Sequence, residues 1–256
     1  MTETRQAEIR AYYQTLFSAW GRQHWWPAHS RFEMIVGAYL TQNTSWTNVE
    51  KALINLRKAR VLTIEGVRRT PRAKLAQLIR SSGYFRQKAE RLKTFVHFLD
   101  SRYGGSLTRM FARPTADLRE ELLALDGVGP ETADSILLYA GNHPVFVVDA
   151  YTRRILERHE IVSAMDHYDE IQQLCERALT DESIASDAES SELKIAAGPQ
   201  GSCHQPSRLS TAKRSSVAQV FNEMHGLIVG VGKTYCLKSQ PRCEQCPLQM
   251  FLPQAR

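Results

Sequence analysis

The 256-residue sequence has no apolar run long enough to cross a bilayer, and it has only five cysteines. The missing run excludes a membrane-spanning helix, and the polar first eight residues lack the apolar core of a signal peptide. Three of the cysteines crowd near the carboxyl end, which is not the even framework of a secreted disulfide-rich protein. We therefore expect a cytoplasmic protein without a membrane partner.

The sequence also has almost no stretch in which apolar and polar side chains alternate, so it predicts few strands or none. Hydrophobic residues make up 43% of the chain and charged residues 23%, a balance that excludes a disordered chain. Lysine and arginine number 33 against 27 aspartates and glutamates, and the net charge of +6 is compatible with a polyanionic partner. Together these features indicate a basic globular protein of the all-α class.

Apolar side chains recur at helical spacing along most of the chain. In the segment 87–103, charged side chains that include Lys88 and Arg91 are predicted to form a solvated face. Residues 181–216 are rich in serine and poor in large apolar side chains, so we predict a flexible insertion there. The predicted helices span residues 7–20, 31–40, 49–56, 87–103, 118–125, 132–141, 150–157, 168–179 and 217–231, with two short helices within 63–79 that are broken at Pro71.

Two glycines one residue apart, Gly127 and Gly129, separate the predicted helix that ends at Leu125 from the next helix. Glycine adopts positive φ at low cost, so the sequence predicts a tight hairpin with exposed N–H groups. These N–H groups meet the amino end of a helix, where a phosphate oxygen would bind favourably. The alternative is a helix end followed directly by another helix, and two glycines alone do not decide between the two.

Several segments resemble the endonuclease III superfamily of DNA glycosylases, which combines a helix–hairpin–helix with a Gly/Pro-rich loop and an aspartate (HhH-GPD). The resemblance implies an all-α fold with a six-helix barrel at residues 32–141 and a second helical domain built from residues 1–31 and 142–256. The segments are AYLTQNT at 38–44, GYFRQKA at 83–89, LDGVGPETADSILLYA at 125–140, PVFVVDAYTRRI at 144–155, and the cysteines from Cys236 to Cys246.

The resemblance also implies a partner, double-stranded DNA with damaged bases, bound by a monomer associated with the bacterial nucleoid. It places Gln42 in the gap that a flipped nucleotide leaves in the duplex. The alternative for the polar turn around Gln42 is a cap for the following helix. Contacts with the DNA backbone are carried over to Gly127, Val128, Gly129, Thr132 and Arg153.

Asp149 stands where the family has its catalytic aspartate. A carboxylate there can stabilise the positive charge that develops on the sugar as the N-glycosidic bond breaks. The alternative is an N-cap for the helix that begins at residue 150. Glu131 stands where strand-cutting members of the family have a lysine that forms a Schiff base, and a carboxylate cannot form an imine. We therefore predict base release by water, without β-lyase activity.

The segment 37–53 and the glutamate after the hairpin most resemble the endonuclease III-like branch of bacterial 3-methyladenine DNA glycosylases. That branch stacks the damaged base on aromatic residues, which implies an alkylated purine as substrate. The alternatives are an oxidised or mismatched pyrimidine, or a DNA-binding relative without activity. Packing roles for the tryptophans are a further alternative, although two adjacent indoles are not expected to enter the same core. The implied base pocket consists of Trp25, Trp26, Pro27 and Trp46.

Cys236, Cys243 and Cys246 have the spacing of the [4Fe-4S] loop in the resembled family. The fourth cysteine of that loop would fall at Leu252, which cannot bind iron. The resemblance therefore leaves three possibilities open. These are a cluster with another ligand such as Cys203 or Cys175, a labile or three-iron cluster, and a loop without metal.

Overall fold

Two compact units divide the chain in the computed structural model, which describes residues 2–26, 28–180, 184 and 207–253. The central unit is continuous in sequence, from Ala28 to Gly141. The terminal unit combines Met1–Pro27 with Asn142–Arg256. Every regular element in the described part of the chain is a helix, which confirms the all-α class. None of the helices described is both long and apolar enough to cross a membrane.

The core of the central unit is organised around its first helix, α2, in which every residue from Phe32 to Leu40 is buried. A helix that is buried on all sides must be surrounded by others, and α2 packs against α3, α6, α9 and the turn that extends α9. The helices of this unit are α2 (Arg31–Thr41), α3 (Trp46–Lys58), α4 (Ile64–Arg69), α5 (Arg72–Leu78), α6 (Phe85–Tyr103), α7 (Leu107–Met110), α8 (Thr115–Leu123) and α9 (Pro130–Ser135), which continues as a π-helical turn (Ile136–Ala140).

The prediction of a solvated charged face on α6 is wrong at Lys88, whose exposed fraction is 1%. Its ammonium donates to the carbonyls of Leu40 (2.9 Å) and Ser82 (2.6 Å). Both carbonyls lie near helix ends, where the last carbonyl groups of a helix have no backbone N–H partner within the helix. Burial lowers the pKa of Lys88 to about 8. The side chain therefore ties the end of α2 to the turn before α6 instead of facing water.

The terminal unit is built around a mostly buried helix, α12 (Ser216–Thr234), which packs against α1 (Thr2–Trp20), α10 (Ala150–Arg158) and α11 (Tyr168–Leu179). Glycines on α12 allow close neighbours. A Cβ at Gly226 would lie 3.1 Å from Cβ of Trp25, and one at Gly232 would overlap the ring of Tyr151. The helices of this unit are α1 (Thr2–Trp20), α10 (Ala150–Arg158), α11 (Tyr168–Leu179) and α12 (Ser216–Thr234), followed by 3-10 turns at Cys243–Gln245 and Gln249–Phe251.

Most of the predicted insertion at 181–216 lies outside the described residues, as do Pro27 and Cys203. The part of it from residue 207 onward includes a turn in which Ser207 N donates to Ser210 Oγ (2.8 Å) and Ser210 N donates to Ser207 Oγ (3.1 Å). This turn leads into α12 through Ser215, which accepts a hydrogen bond from Ala218 N as the helix cap.

Candidate functional site

The glycine hairpin of the central unit joins α8 to α9 as the sequence predicts. Gly127 has φ +72°, the left-handed region that favours glycine, and Val128 N donates to the Leu125 carbonyl at 3.1 Å. Gly129 is the N-cap of α9, and Pro130 occupies the first helical position. Gly129 is exposed and Val128 is buried, so the hairpin presents backbone to solvent while its one apolar side chain is enclosed.

A partly buried ion pair joins the two helices on either side of the hairpin. Arg119 on α8 donates from Nε to Oδ1 of Asp134 (2.8 Å) and from Nη2 to Oδ2 (3.2 Å). Asp134 on α9 is fully buried, and bidentate geometry gives this pair orientation as well as attraction. This ion pair between α8 and α9 therefore fixes the angle between the two helices, and with it the shape of the hairpin.

Gln42 lies against the hairpin. Its Nε2 donates to the Gly127 carbonyl (2.9 Å) and to Oγ1 of Thr132 (3.0 Å). Its Oε1 accepts a hydrogen bond from Nη1 of Arg91 on α6 (2.8 Å). A Cβ at Gly127 would overlap the guanidinium of Arg91, so that side chain rests directly on the hairpin. The sequence analysis identified Gln42 but not Arg91, because the spacing of charged residues along a helix does not show which distant side chain an arginine will bind.

Asp149, in the terminal unit, is the N-cap of α10. Its Oδ1 accepts hydrogen bonds from Thr152 N (2.7 Å) and Thr152 Oγ1 (3.0 Å), so the capping role that the sequence left open is present. The other oxygen, Oδ2, lies 3.6 Å from Nε2 of His225 on α12. The carboxylate is therefore divided: one oxygen serves the helix, and the other faces a histidine that the sequence did not reveal.

The local electrostatics favour the ionised form of Asp149. Burial acts to raise the pKa of Asp149, but His225 and the hydrogen bonds from Thr152 outweigh it and hold that pKa below its usual value. Burial lowers the pKa of the nearby Lys233, and the charge of Asp149 acts in the opposite direction. At neutral pH the cluster contains a carboxylate that is negatively charged although only 13% of its side chain is exposed.

Trp25 and Trp26 are both buried, with exposed fractions of 7% and 8%. Their rings meet edge to face with centroids 5.4 Å apart, so the expectation that two adjacent indoles could not share a core is wrong. The centroid of Trp25 lies 6.3 Å from the ring of His225, and Nζ of Lys233 lies 5.6 Å from it. The ring of Trp25 therefore lies near His225 and Lys233, the two groups that act on the charge of Asp149 or are acted on by it. Trp46 begins α3 in the central unit and is partly exposed.

Two further predicted residues are placed as follows. Glu131 is exposed in the first turn of α9. Arg153 donates from Nη1 to the Asp166 carbonyl (2.9 Å), and the same nitrogen lies 3.6 Å from Oε1 of Glu157. The guanidinium of Arg153 is therefore engaged by other parts of its own unit.

The three cysteines near the carboxyl end do lie together. Burial raises the pKa of Cys246, and the thiols of Cys236 and Cys243 act in the same direction. Nη1 of Arg158 donates to Sγ of Cys236 (3.2 Å). Leu252 presents a hydrocarbon side chain where the resembled family has its fourth cysteine. These side chains line one pocket, which His159 also lines.

Replacement ligands for iron are engaged or distant in the described residues. Nδ1 of His159 lies 2.8 Å from the hydroxyl of Tyr12, and the Phe251 backbone also hydrogen-bonds to the ring. Cys175 is buried on α11 and does not line the pocket. Within the described ranges, no three His, Cys, Asp or Glu side chains are arranged to hold a metal ion. The donor set seen there does not fit a cluster held by four thiolates.

Comparison with known proteins agrees with the helical architecture. A family model for HhH-GPD superfamily base excision DNA repair proteins matches residues 36–180. The chain is 37% identical over 254 residues to a Methanocaldococcus jannaschii protein named "Putative DNA repair glycosylase MJ1434", covering 98% of each chain.

Two solved structures are similar to this chain. One is the H. pylori 3-methyladenine DNA glycosylase bound to 1,N6-ethenoadenine, with 30% identity, a TM-score of 0.69, and coverage of 89% of this chain and 97% of that one. The other is a trapped endonuclease III–DNA covalent intermediate, which at 20% identity shares the fold (TM-score 0.70, 96% and 95% covered). The chain therefore belongs to the HhH-GPD superfamily of base excision DNA repair proteins, the DNA glycosylases that its motifs resemble.

Proposed function

We propose that the protein is a monofunctional DNA glycosylase that hydrolyses the N-glycosidic bond of an alkylated purine, such as 3-methyladenine, in double-stranded DNA. The observation that carries this proposal is the divided carboxylate of Asp149. One oxygen is occupied by the cap of α10, and the other belongs to a cluster with His225, Lys233 and Trp25. In the proposed reaction, the base stacks on an indole and the carboxylate stabilises the positive charge that develops on the sugar as the base departs.

Hydrolysis needs stabilisation of positive charge and a nucleophile. As the bond from C1′ to the base nitrogen breaks, its electron pair leaves with the base and C1′ gains oxocarbenium character. The carboxylate of Asp149 stabilises that charge and orients a water molecule toward C1′. The water oxygen bonds to C1′, one water proton is released, and an abasic site and a free base result. Asp149→Asn should abolish base release and retain DNA binding. Base release at the unchanged rate would refute the role of Asp149.

The absence of a β-lyase step is proposed from Glu131. Its carboxylate occupies the position where the strand-cutting relatives of the resembled family use an amine, and it cannot form an imine. We expect no borohydride-trapped adduct between the protein and a duplex that it cleaves. Glu131→Lys is the matched control, because it restores an amine at that position and should yield an adduct. An adduct with the unchanged protein would refute the proposal, and Lys233 would then be the amine to replace.

The choice of an alkylated purine is supported by the aromatic residues and by the 30% identity to a 3-methyladenine DNA glycosylase. An alkylated purine carries positive charge on its ring, which favours stacking on indoles such as those of Trp26 and Trp46. Trp26→Ala and Trp46→Ala should reduce release of methylated purines. Trp20→Ala is a matched control, since it removes another buried indole, one that stacks on Tyr235. Equal losses in all three folded variants would contradict a base pocket.

A second candidate, an uncharged lesion such as an oxidised or mismatched pyrimidine, is favoured by one contact. The ammonium of Lys233 already lies over the ring of Trp25, where it would oppose a cationic base. Chromatographic identification of the bases released from alkylated, oxidised and mismatched duplexes distinguishes the two candidates. Failure to release a base from any of them would indicate a DNA-binding relative without activity.

DNA binding itself is proposed for the hairpin. Apart from its chain neighbours, no atom of the residues that the structure describes lies within 4 Å of a Cβ placed on Gly129, and the residue is exposed, so a DNA backbone can approach it closely. Backbone N–H groups of the hairpin would bind a phosphate oxygen there. We propose that the protein binds duplex DNA as a monomer, which sedimentation of the protein and of its complex would test.

A further inference from the structure

His225 faces the carboxylate of Asp149, and the family resemblance gave His225 no function. It lies on α12, 76 positions after Asp149 in the chain, and its exposed fraction is only 4%. Its Nε2 is 3.6 Å from Oδ2 of Asp149, and its ring is 6.3 Å from that of Trp25. A buried imidazole with these two neighbours connects the carboxylate to the indole of the proposed base pocket.

The position of His225 is fixed by its own helix. Glu223, two residues earlier, accepts a hydrogen bond from Gln23 N at 2.7 Å. Gly226, the next residue, brings the backbone of α12 against the side chains of Gln23 and Trp25. The segment that carries Trp25 is therefore anchored to α12 on both sides of His225. The imidazole of His225 therefore has Asp149 and Trp25 as neighbours, and the segment that carries Trp25 is fastened to the same helix.

We propose that His225 is a positioning residue for base release, which holds Oδ2 of Asp149 toward the base pocket while Oδ1 caps α10. This inference rests on the proposed catalytic role of Asp149. Without the imidazole, the carboxylate keeps its cap but loses the group that orients its second oxygen. A buried carboxylate also loses the neighbour that most favours its charged form.

Other groups around the carboxylate do not replace the imidazole. Lys233 lies on the same helix with its ammonium over the ring of Trp25, and burial lowers its pKa while the charge of Asp149 acts in the opposite direction. On α10, the phenol of Tyr151 remains neutral because burial and the charge of Asp149 raise its pKa, and Arg154 acts in the opposite direction. With His225 removed, burial should raise the pKa of Asp149, so a proton would compete for the carboxylate at higher pH.

The test is a single-turnover rate constant as a function of pH, measured on duplex DNA methylated with dimethyl sulfate. His225→Leu should lower the rate at least about tenfold, the size expected when a charged group loses a polar neighbour that stabilises it. The acidic limb of its pH–rate profile should also move to higher pH. His225→Gln keeps a donor and should restore part of both. The enzyme concentration that gives half of the maximal single-turnover rate should change less than the rate constant itself.

His159→Gln is the matched control, because it alters another buried histidine, one that interacts with Tyr12 in another part of the same unit. It should cost stability without moving the acidic limb. A folded His225→Leu variant with the unchanged profile, or with only the rate loss that His159→Gln also shows, would overturn the inference. If Asp149→Asn retains activity, the proposed function itself fails. If Asp149→Asn is inactive and His225→Leu is normal, only the role of His225 fails.

Discussion

Gly127→Ala should destabilise the central unit far more than Gly129→Ala, although the two glycines are only two residues apart. Gly127 has φ +72°, a conformation that L-residues adopt at a cost of about 1–2 kcal/mol. A methyl group there would also overlap the guanidinium of Arg91 and force it away from the hairpin. Gly129 has φ −92°, which any residue can adopt, and open space where its Cβ would lie.

The expected loss at Gly127 is the sum of three contributions. Displacing Arg91 breaks its charge-assisted hydrogen bond to Gln42, which contributes about 1.5–3 kcal/mol. The left-handed φ adds the cost given above. Alanine restricts the unfolded chain and returns about 0.4–1 kcal/mol. The net change in the free energy of unfolding is therefore about 2–4 kcal/mol for Gly127→Ala, against less than about 0.5 kcal/mol for Gly129→Ala.

Urea denaturation followed by far-ultraviolet circular dichroism measures both variants against the unchanged protein. Gly127→Ala should move the midpoint down by about 1 M, at a slope of a few kcal/mol per molar urea. In an Arg91→Ala background, which already lacks the bond to Gln42, Gly127→Ala should cost less than it does in the unchanged protein, by the share assigned to Arg91. Equal midpoints for the two glycine variants would refute the reasoning, since backbone conformation and space differ at the two positions.

Three further predictions concern other parts of the molecule. Gly129→Ala should weaken duplex binding in a fluorescence-anisotropy titration while stability is unchanged, and unaltered affinity would exclude close backbone contact there. The folded pKa of Lys88, about 8, lies below that of an unfolded lysine, so the unfolded chain binds more protons between these values and stability should rise with pH through that window; Lys88→Met should lack this rise in pH-dependent melts. Iron analysis of anaerobically purified protein should find fewer than four irons per chain, and four irons that disappear in Cys203→Ser would identify an outside ligand.

Local features of the fold were predictable because they repeat at fixed spacing. The helix at 168–179 was predicted with the bounds that the structure has, and α6 begins two residues earlier than its periodicity indicated. Capping chemistry was readable as well, since an aspartate before a helix is a common N-cap and Asp149 is one. The hairpin followed from two glycines and the helices on either side of them.

Long-range pairings were not predictable from the same patterns. The periodicity of α6 assigns Lys88 and Arg91 to a charged face, yet Lys88 is enclosed by two carbonyls and Arg91 bonds to a residue 49 positions away. Helical spacing records which side chains share a face, but not whether a carbonyl or a carboxylate meets that face. His225 was overlooked for the same reason, because only the folded terminal unit brings its ring to Asp149.

Gln42 and Asp149 show that a structural role and a functional role need not exclude each other. Asp149 caps α10 with one oxygen and keeps the second for the cluster, so capping orients the carboxylate that the proposed reaction uses.

Gln42 is more constrained, because both ends of its amide are bonded, to the hairpin and to Arg91. If it enters the duplex as the family resemblance implies, these bonds must be given up, at a net cost of roughly 1 kcal/mol each. Contacts with DNA must offset that cost. Arg91 lies against the hairpin, and once its bond to Gln42 is broken its guanidinium can bind a phosphate there. Seating of the DNA backbone and release of Gln42 would then be one coupled step in the central unit.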